Sequence, residues 1–154
     1  MRRTSARTTL VILLATVVVL GIVPYAQADE HKDCSNATLH GSFGYTITGI
    51  SFSAPLPLAG PFGQVGRQTF DGNGNTAATA TTSLNGHVLP VTFEGTYTVN
   101  PDCTGSFTIT ILPIGVAQHI DFVIDDDGLE FRAISAESGD VLTAVGRKQF
   151  PQGR

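Results

Sequence analysis

The sequence predicts an all-β domain, a small antiparallel up-and-down β-barrel of about eight strands, with a two-sheet β-sandwich as the alternative. Three observations carry this. First, apolar and polar residues alternate with period two, the mark of a half-buried strand. In residues 95–111, Tyr97 and Val99 share one phase while Thr96 and Thr98 share the other, and Phe107, Ile109 and Ile111 then alternate with Ser106, Thr108 and Thr110. Second, the alternating stretches are separated by short runs of Asn, Asp, Gly and Pro, so each strand pairs with its neighbour in the chain. Third, no stretch after residue 28 has a helical period. Glycines at 41, 44, 66, 95, 105 and 146 suit strands that curve sharply, and closing the sheet leaves no exposed edge.

The chain of 154 residues opens with Arg2, Arg3 and Arg7, followed by an apolar run at 10–23 and then Ala26-Gln27-Ala28. That is the pattern of a secretory signal peptide cut after Ala28. The alternative, an uncleaved anchor, needs a longer run than this one of about 14 residues. The expected organisation is a signal peptide at 1–28 and one barrel domain at 29–154, about 126 residues with one core. Six of the nine Lys and Arg residues stay with the domain against 13 acidic residues, so its formal charge falls to about −7. Such a surface argues against nucleic acid and against anionic membrane as partners. The expected location is secreted or periplasmic.

The strands follow in order. Residues 39–50 place Phe43, Tyr45 and Ile47 on one face. Residues 51–61 are apolar and proline-rich and cannot be a central strand. They read as a packed surface loop, with a ligand lip as the alternative. Residues 63–71 are a second strand of ambiguous phase, ended by the turn Asp71-Gly72-Asn73-Gly74-Asn75. Residues 76–84 form a threonine-rich third strand, and Asn85-Gly86 is a two-residue hairpin turn. Residues 87–100 keep Leu89, Val91, Phe93, Gly95, Tyr97 and Val99 in phase, with Pro90 as a bulge or edge position. Strands at 104–112, 116–124, 129–135 and 141–150 complete the set.

Two cysteines remain after the signal, Cys34 and Cys103, and an even count in an exported chain predicts a disulfide. It would close a loop of roughly 70 residues. In an up-and-down barrel, the start of strand one and the turn after strand four lie at the same end. The N-terminal arm is therefore expected to close that end, pinned by the disulfide. Asn36-Ala37-Thr38 has the form of a glycosylation acceptor. The aspartate turn at 71 begins like a calcium loop but lacks the later oxygen ligands and closing glutamate. No metal is expected there or at His31, His40 and Cys34, whose spacing fits no zinc framework.

The pieces CSNATLHGSFGY (34–45), FDGNGN (70–75) and GTYTVNPDCTGS (95–106) resemble a group of small exported bacterial proteins without assigned function. That group resembles in turn the barrel of allene oxide cyclase and the dirigent proteins. The resemblance implies a lumen able to hold an apolar ligand. It carries over no catalytic residue.

Chemistry-bearing residues are sparse. There is no Gly-x-Ser-x-Gly motif. None of His31, His40, His87 and His119 has a carboxylate at a telling spacing, and each reads as a surface or turn residue. Glu94 and Arg132 face outward by parity, and the aspartates at 125–127 read as a solvated turn. No catalytic residue and no cofactor are therefore assigned. The first reading is a non-enzymatic barrel that binds a small apolar ligand. Its lining would be Phe43, Tyr45, Phe93, Tyr97, Phe107, Gln118, Phe122 and Phe131, with Tyr45, Tyr97 and Gln118 as polar handles. The alternatives are an isomerase or cyclase in the same cavity and a structural or surface-interaction protein with a filled core, carrying an apolar patch at 52–62.

Overall fold

The computed structural model describes residues 33–150. The expected signal peptide at 1–28 and the first part of the expected N-terminal arm lie outside the described residues. Eight strands run in chain order: β1 (His40–Ser51), β2 (Gly60–Asp71), β3 (Asn75–Leu84), β4 (His87–Val99), β5 (Thr104–Leu112), β6 (Val116–Asp125), β7 (Glu130–Ser135) and β8 (Asp140–Lys148). Each is antiparallel to its chain neighbour, and β8 pairs with β1 to close the barrel. No helix among the described residues is long and apolar enough to cross a membrane.

The predicted turns behave as their residues require. Asn85 and Gly86 both take positive φ, 48° and 87°, the conformation that joins twisted strands across two residues. Asp71 holds the β2–β3 turn by accepting from the Asn73 and Asn75 backbone N–H groups and the Asn75 side chain. Its carboxylate is thus used within the turn, which keeps it below the usual carboxylate range. Among the described residues, no group of three His, Cys, Asp or Glu is placed to hold a metal.

Strand ends differ from expectation by one or two residues in several places, β8 ending at Lys148 and not at 150, and the start of β2 differs for a physical reason. Gly60 and Pro61, expected in a loop, pair with Ser51 and Ile50 and so begin β2. Neither has an apolar side chain in alternation with its neighbours, which hid them. Pro90 is not bulged but stands at a local edge, as one of its two expected placements had it. It pairs with Thr81 and lies past the last β4–β5 pair, Thr92 with Leu112. On that side its missing N–H costs no ladder bond.

The lower end, where the chain enters β1, is dry and aromatic. Phe43, Phe70, Tyr97, Phe107, Phe122 and Phe131 are buried there. Phe70 stands edge-on to Phe43 and Tyr97, with ring centres 5.3 and 5.2 Å away, and Phe107 stacks on Phe122 at 4.2 Å. Glycines on the next strand make room for these rings. Phe122 faces Gly105 and Phe131 faces Gly146. A Cβ at either glycine would overlap the ring opposite.

The N-terminal arm closes this end, as strand parity predicts. Cys34 and Cys103 form a disulfide with Cα atoms 5.0 Å apart, across 69 residues of sequence. A 3₁₀ turn at Asn36–Thr38 follows. The Asn36 side-chain oxygen accepts from the Val99 N–H at 2.8 Å, and the Tyr97 hydroxyl donates to the Asn36 and Leu39 carbonyls. Leu39 is fully buried beneath it. The half-buried Asn36 of the sequon is thus engaged in the plug through its side-chain oxygen.

Candidate functional site

Burial changes along the barrel axis. On β6 the inward positions run from buried Ile124 and Phe122, through half-buried Ile120 and Gln118, to exposed Val116. On β5, Phe107 is buried while Ile109 and Ile111 are half-buried. On β1, Ile47 is half-buried above the buried Phe43 and Tyr45, and on β8, Ala144 and Leu142 are half-buried above the buried Gly146. These side chains face inward, because they share the phase of the core residues on the same strands. At the same height Ser51, Gln64 and Thr82 are buried, so the upper interior is exposed on only part of its circumference. The barrel has a solid aromatic floor and, above it, a largely aliphatic interior whose side chains are half-buried and packed against that floor.

One side of the lumen wall is polar. The Gln64 amide donates to the Tyr45 hydroxyl at 2.7 Å and its carbonyl accepts from the Thr82 hydroxyl at 2.8 Å. Gln64 and Thr82 are buried. Burial outweighs the Gln64 bond and pushes the Tyr45 hydroxyl up to about 12, so it is protonated at any physiological pH. Lower down, Gln68 donates to Thr76 at 3.0 Å. Gln118, on β6, is half-buried in the inward phase, and its amide has no hydrogen-bond partner among the described residues.

The sequence-predicted lining residues divide by height. Phe43, Phe107, Phe122 and Phe131 pack against one another in the floor, and Phe93 is also buried. Tyr97 is committed to the arm's carbonyls, and burial raises its hydroxyl pKa. Tyr45 lies at the base of the upper part, and Gln118 lies within it. The aliphatic positions Ile47, Val91, Ile109, Ile111 and Ile120 supply the lumen surface, and Gln64 and Thr82 supply its polar patch. Sequence reasoning missed the two glutamines of β2 because there the apolar residue, Val65, points outward, 60% exposed. The helpful signal was Gln64 and Gln68 in the phase of Phe70.

The charged side chains lie on the outer wall or at the ends. Arg132 is paired with Asp125 on the neighbouring strand at 2.7 Å, and Arg147 with Glu130 at 2.6 Å. Glu94 is exposed and outward. His119 does have a carboxylate, contrary to the expectation from spacing: its Nδ1 lies 2.6 Å from Glu137, which also accepts the His119 N–H at 2.8 Å. The bond from His119 holds the Glu137 carboxyl below its ordinary range. The pair spans from β6 to the β7–β8 turn and is solvent-facing. Two shallow grooves of about 600 and 450 Å³ run along the outer wall, over β5–β7 and β2–β4. They are open to solvent and separate from the lumen.

No protein-family model matches the chain, and no curated protein matches it. Two solved structures are similar in fold. One is a redesigned β-barrel, b11L5F_LGL, with a TM-score of 0.53 and 18% identity over 74% of this chain and 94% of that one. The other is a redesigned β-barrel, mFAP1, bound to DFHBI, with a TM-score of 0.50 and 17% identity over 73% of this chain and 97% of that one. At such identities the likeness is one of fold, and it agrees with the closed eight-strand antiparallel barrel described above.

Proposed function

We propose that this is an exported barrel protein, cleaved after Ala28, that binds a small apolar ligand in its upper lumen without transforming it. The observation that carries the reading is the half-burial of inward-facing Ile47, Ile109, Ile111 and Ile120. Half-buried aliphatic side chains facing into a barrel offer apolar surface that a small apolar molecule can cover. A disulfide fits an oxidising compartment, and the barrel in complex with DFHBI is a precedent for this architecture around a small molecule. The same features suit kinship with the allene oxide cyclase and dirigent-like barrels.

An isomerase or cyclase in the same cavity needs a proton acceptor near the ligand. Tyr45 is held protonated by burial, and Gln64, Thr82 and Gln118 cannot act as bases at neutral pH. Such a wall binds and orients. A fully structural role, with the half-buried aliphatic side chains as part of a filled core, is the second reading and predicts no saturable binding in the test below.

The test is titration of the disulfide-intact protein with an uncharged fluorophore that brightens in apolar surroundings. Saturable binding is expected, and Ile109→Trp, which fills the lumen, should weaken it by about tenfold or more while circular dichroism stays unchanged. Equal binding by the filled variant would place the probe on the outer wall and remove the proposal.

A further inference from the structure

We propose that the lumen selects uncharged ligands, apolar molecules carrying a hydroxyl, ketone or ester, and rejects the corresponding carboxylates. This rests on the ligand-binding reading and adds the chemical class.

No cation among the described residues faces the upper interior to pair with an anion. Among the described residues, Lys and Arg occur at 67, 132, 147 and 148. Arg67 is on the outer wall, bonded to Ser42. Arg132 and Arg147 are in ion pairs on the same wall. Lys148 is at the closed end beside Gly41. Of the histidines, His119 is bonded to Glu137, His40 begins β1 at the closed end, and His87 is exposed at the tip of the β3–β4 hairpin.

The fixed charge at the upper end is instead negative. Asp140, which begins β8 opposite Ser51, accepts from the Ser51 and Ser53 hydroxyls at 2.7 and 2.8 Å. Glu137 is in the neighbouring turn. An entering carboxylate meets like charge at the mouth and no counter-charge inside, and burying an unpaired ion is strongly unfavourable.

The polar groups within are neutral. Tyr45, Gln64 and Thr82 satisfy one another. Gln118 offers an unpartnered amide, both donor and acceptor, in the inward phase of β6. It suits one uncharged polar group on an otherwise apolar molecule. A carboxylic acid would have to bind in its protonated form, which at pH 7 weakens it on the order of a hundredfold.

The experiment displaces the uncharged fluorophore with 1-decanol and with decanoate, a matched pair differing in charge. Decanol is expected to displace it at pH 7. Decanoate should be at least about tenfold weaker and should gain as the pH falls toward 5. Gln118→Leu should weaken decanol while sparing a pure hydrocarbon. Gln118→Lys, which places a cation in the lumen, should reverse the preference. Decanoate binding as tightly as decanol at pH 7 in the unaltered protein would overturn the selectivity while leaving ligand binding intact. Failure of the fluorophore and both competitors to bind would overturn the lumen reading, and the selectivity with it.

Discussion

Single residues set both the shape of the barrel and its response to pH. The Tyr45 hydroxyl is raised to about 12 in the folded protein, whereas an unfolded tyrosine ionises near 10. Between these values the unfolded chain releases a proton that the folded one keeps, so stability is intact below about pH 10 and falls as pH rises toward 12. Tyr45→Phe should therefore flatten the alkaline loss of stability, read as urea midpoints at pH 8 and 11. A residual slope is expected from Tyr97, whose hydroxyl pKa is also raised by burial. Glycines offer a steric contrast. A Cβ on Gly95 would overlap the Thr108 carbonyl and crowd the Ile109 backbone, whereas one on Gly63 meets nothing within 4 Å. Gly95→Ala should cost about 2 to 4 kcal/mol by denaturant unfolding, and Gly63→Ala should stay within about 0.5 kcal/mol of neutral. At this scale the sequence showed which residues alternate, but not that Gln64 and Gln68 lie inside. A polar wall inverts the hydrophobic pattern on which a strand's phase is judged.

At the scale of elements, legibility followed the strength of the alternation. The hairpin of β4 and β5 was plain, because Tyr97, Val99, Phe107 and Ile109 keep one phase on either side of a turn built from Asn100, Pro101 and Asp102. The arm was legible through counting: an even number of cysteines and the parity of the strands placed Cys34 beside Cys103. Its hydrogen bonds were not, since the Tyr97 hydroxyl that looks like a lumen handle in the sequence is spent on the Asn36 and Leu39 carbonyls. The His119–Glu137 bond was hidden because the two residues are 18 apart and meet across β6 and the β7–β8 turn. Replacing both cysteines by serine should lower the unfolding free energy by about 2 to 4 kcal/mol, measured by urea denaturation. The far-ultraviolet spectrum should stay that of a barrel, because the eight ladders do not depend on the bond.

The division into floor and lumen belongs to the whole molecule. Alternation tells which side of the sheet a residue faces and nothing of its height along the axis. Phe107 and Ile109 are adjacent members of one inward row, yet one is buried in the floor and the other half-buried above it. The difference arises from ring size and from the arm. Six large aromatic side chains and the buried Leu39 fill the lower cross-section, while the aliphatic and alanine side chains above are smaller and only half-buried. Phase, the one coordinate available in the sequence, groups Phe107, Phe122 and Phe131 with Tyr45 and Gln118.

The position of the disulfide also bears on the order in which the barrel assembles. Seven of the eight ladders join strands that are neighbours in the chain, and only β1 with β8 must be brought together from far away. Phe43 and Lys148, partners in that seam, are separated by roughly 105 residues of open chain, which the Cys34–Cys103 link shortens to roughly 54. Halving a loop lowers its closure cost by about 0.6 kcal/mol. With the seam closing in the rate-limiting step, the oxidised chain should refold about threefold faster than the double-serine chain in stopped-flow fluorescence. The same bond that seals the floor thus acts as a kinetic clasp, supplying a head start to the one contact that local hairpins cannot make.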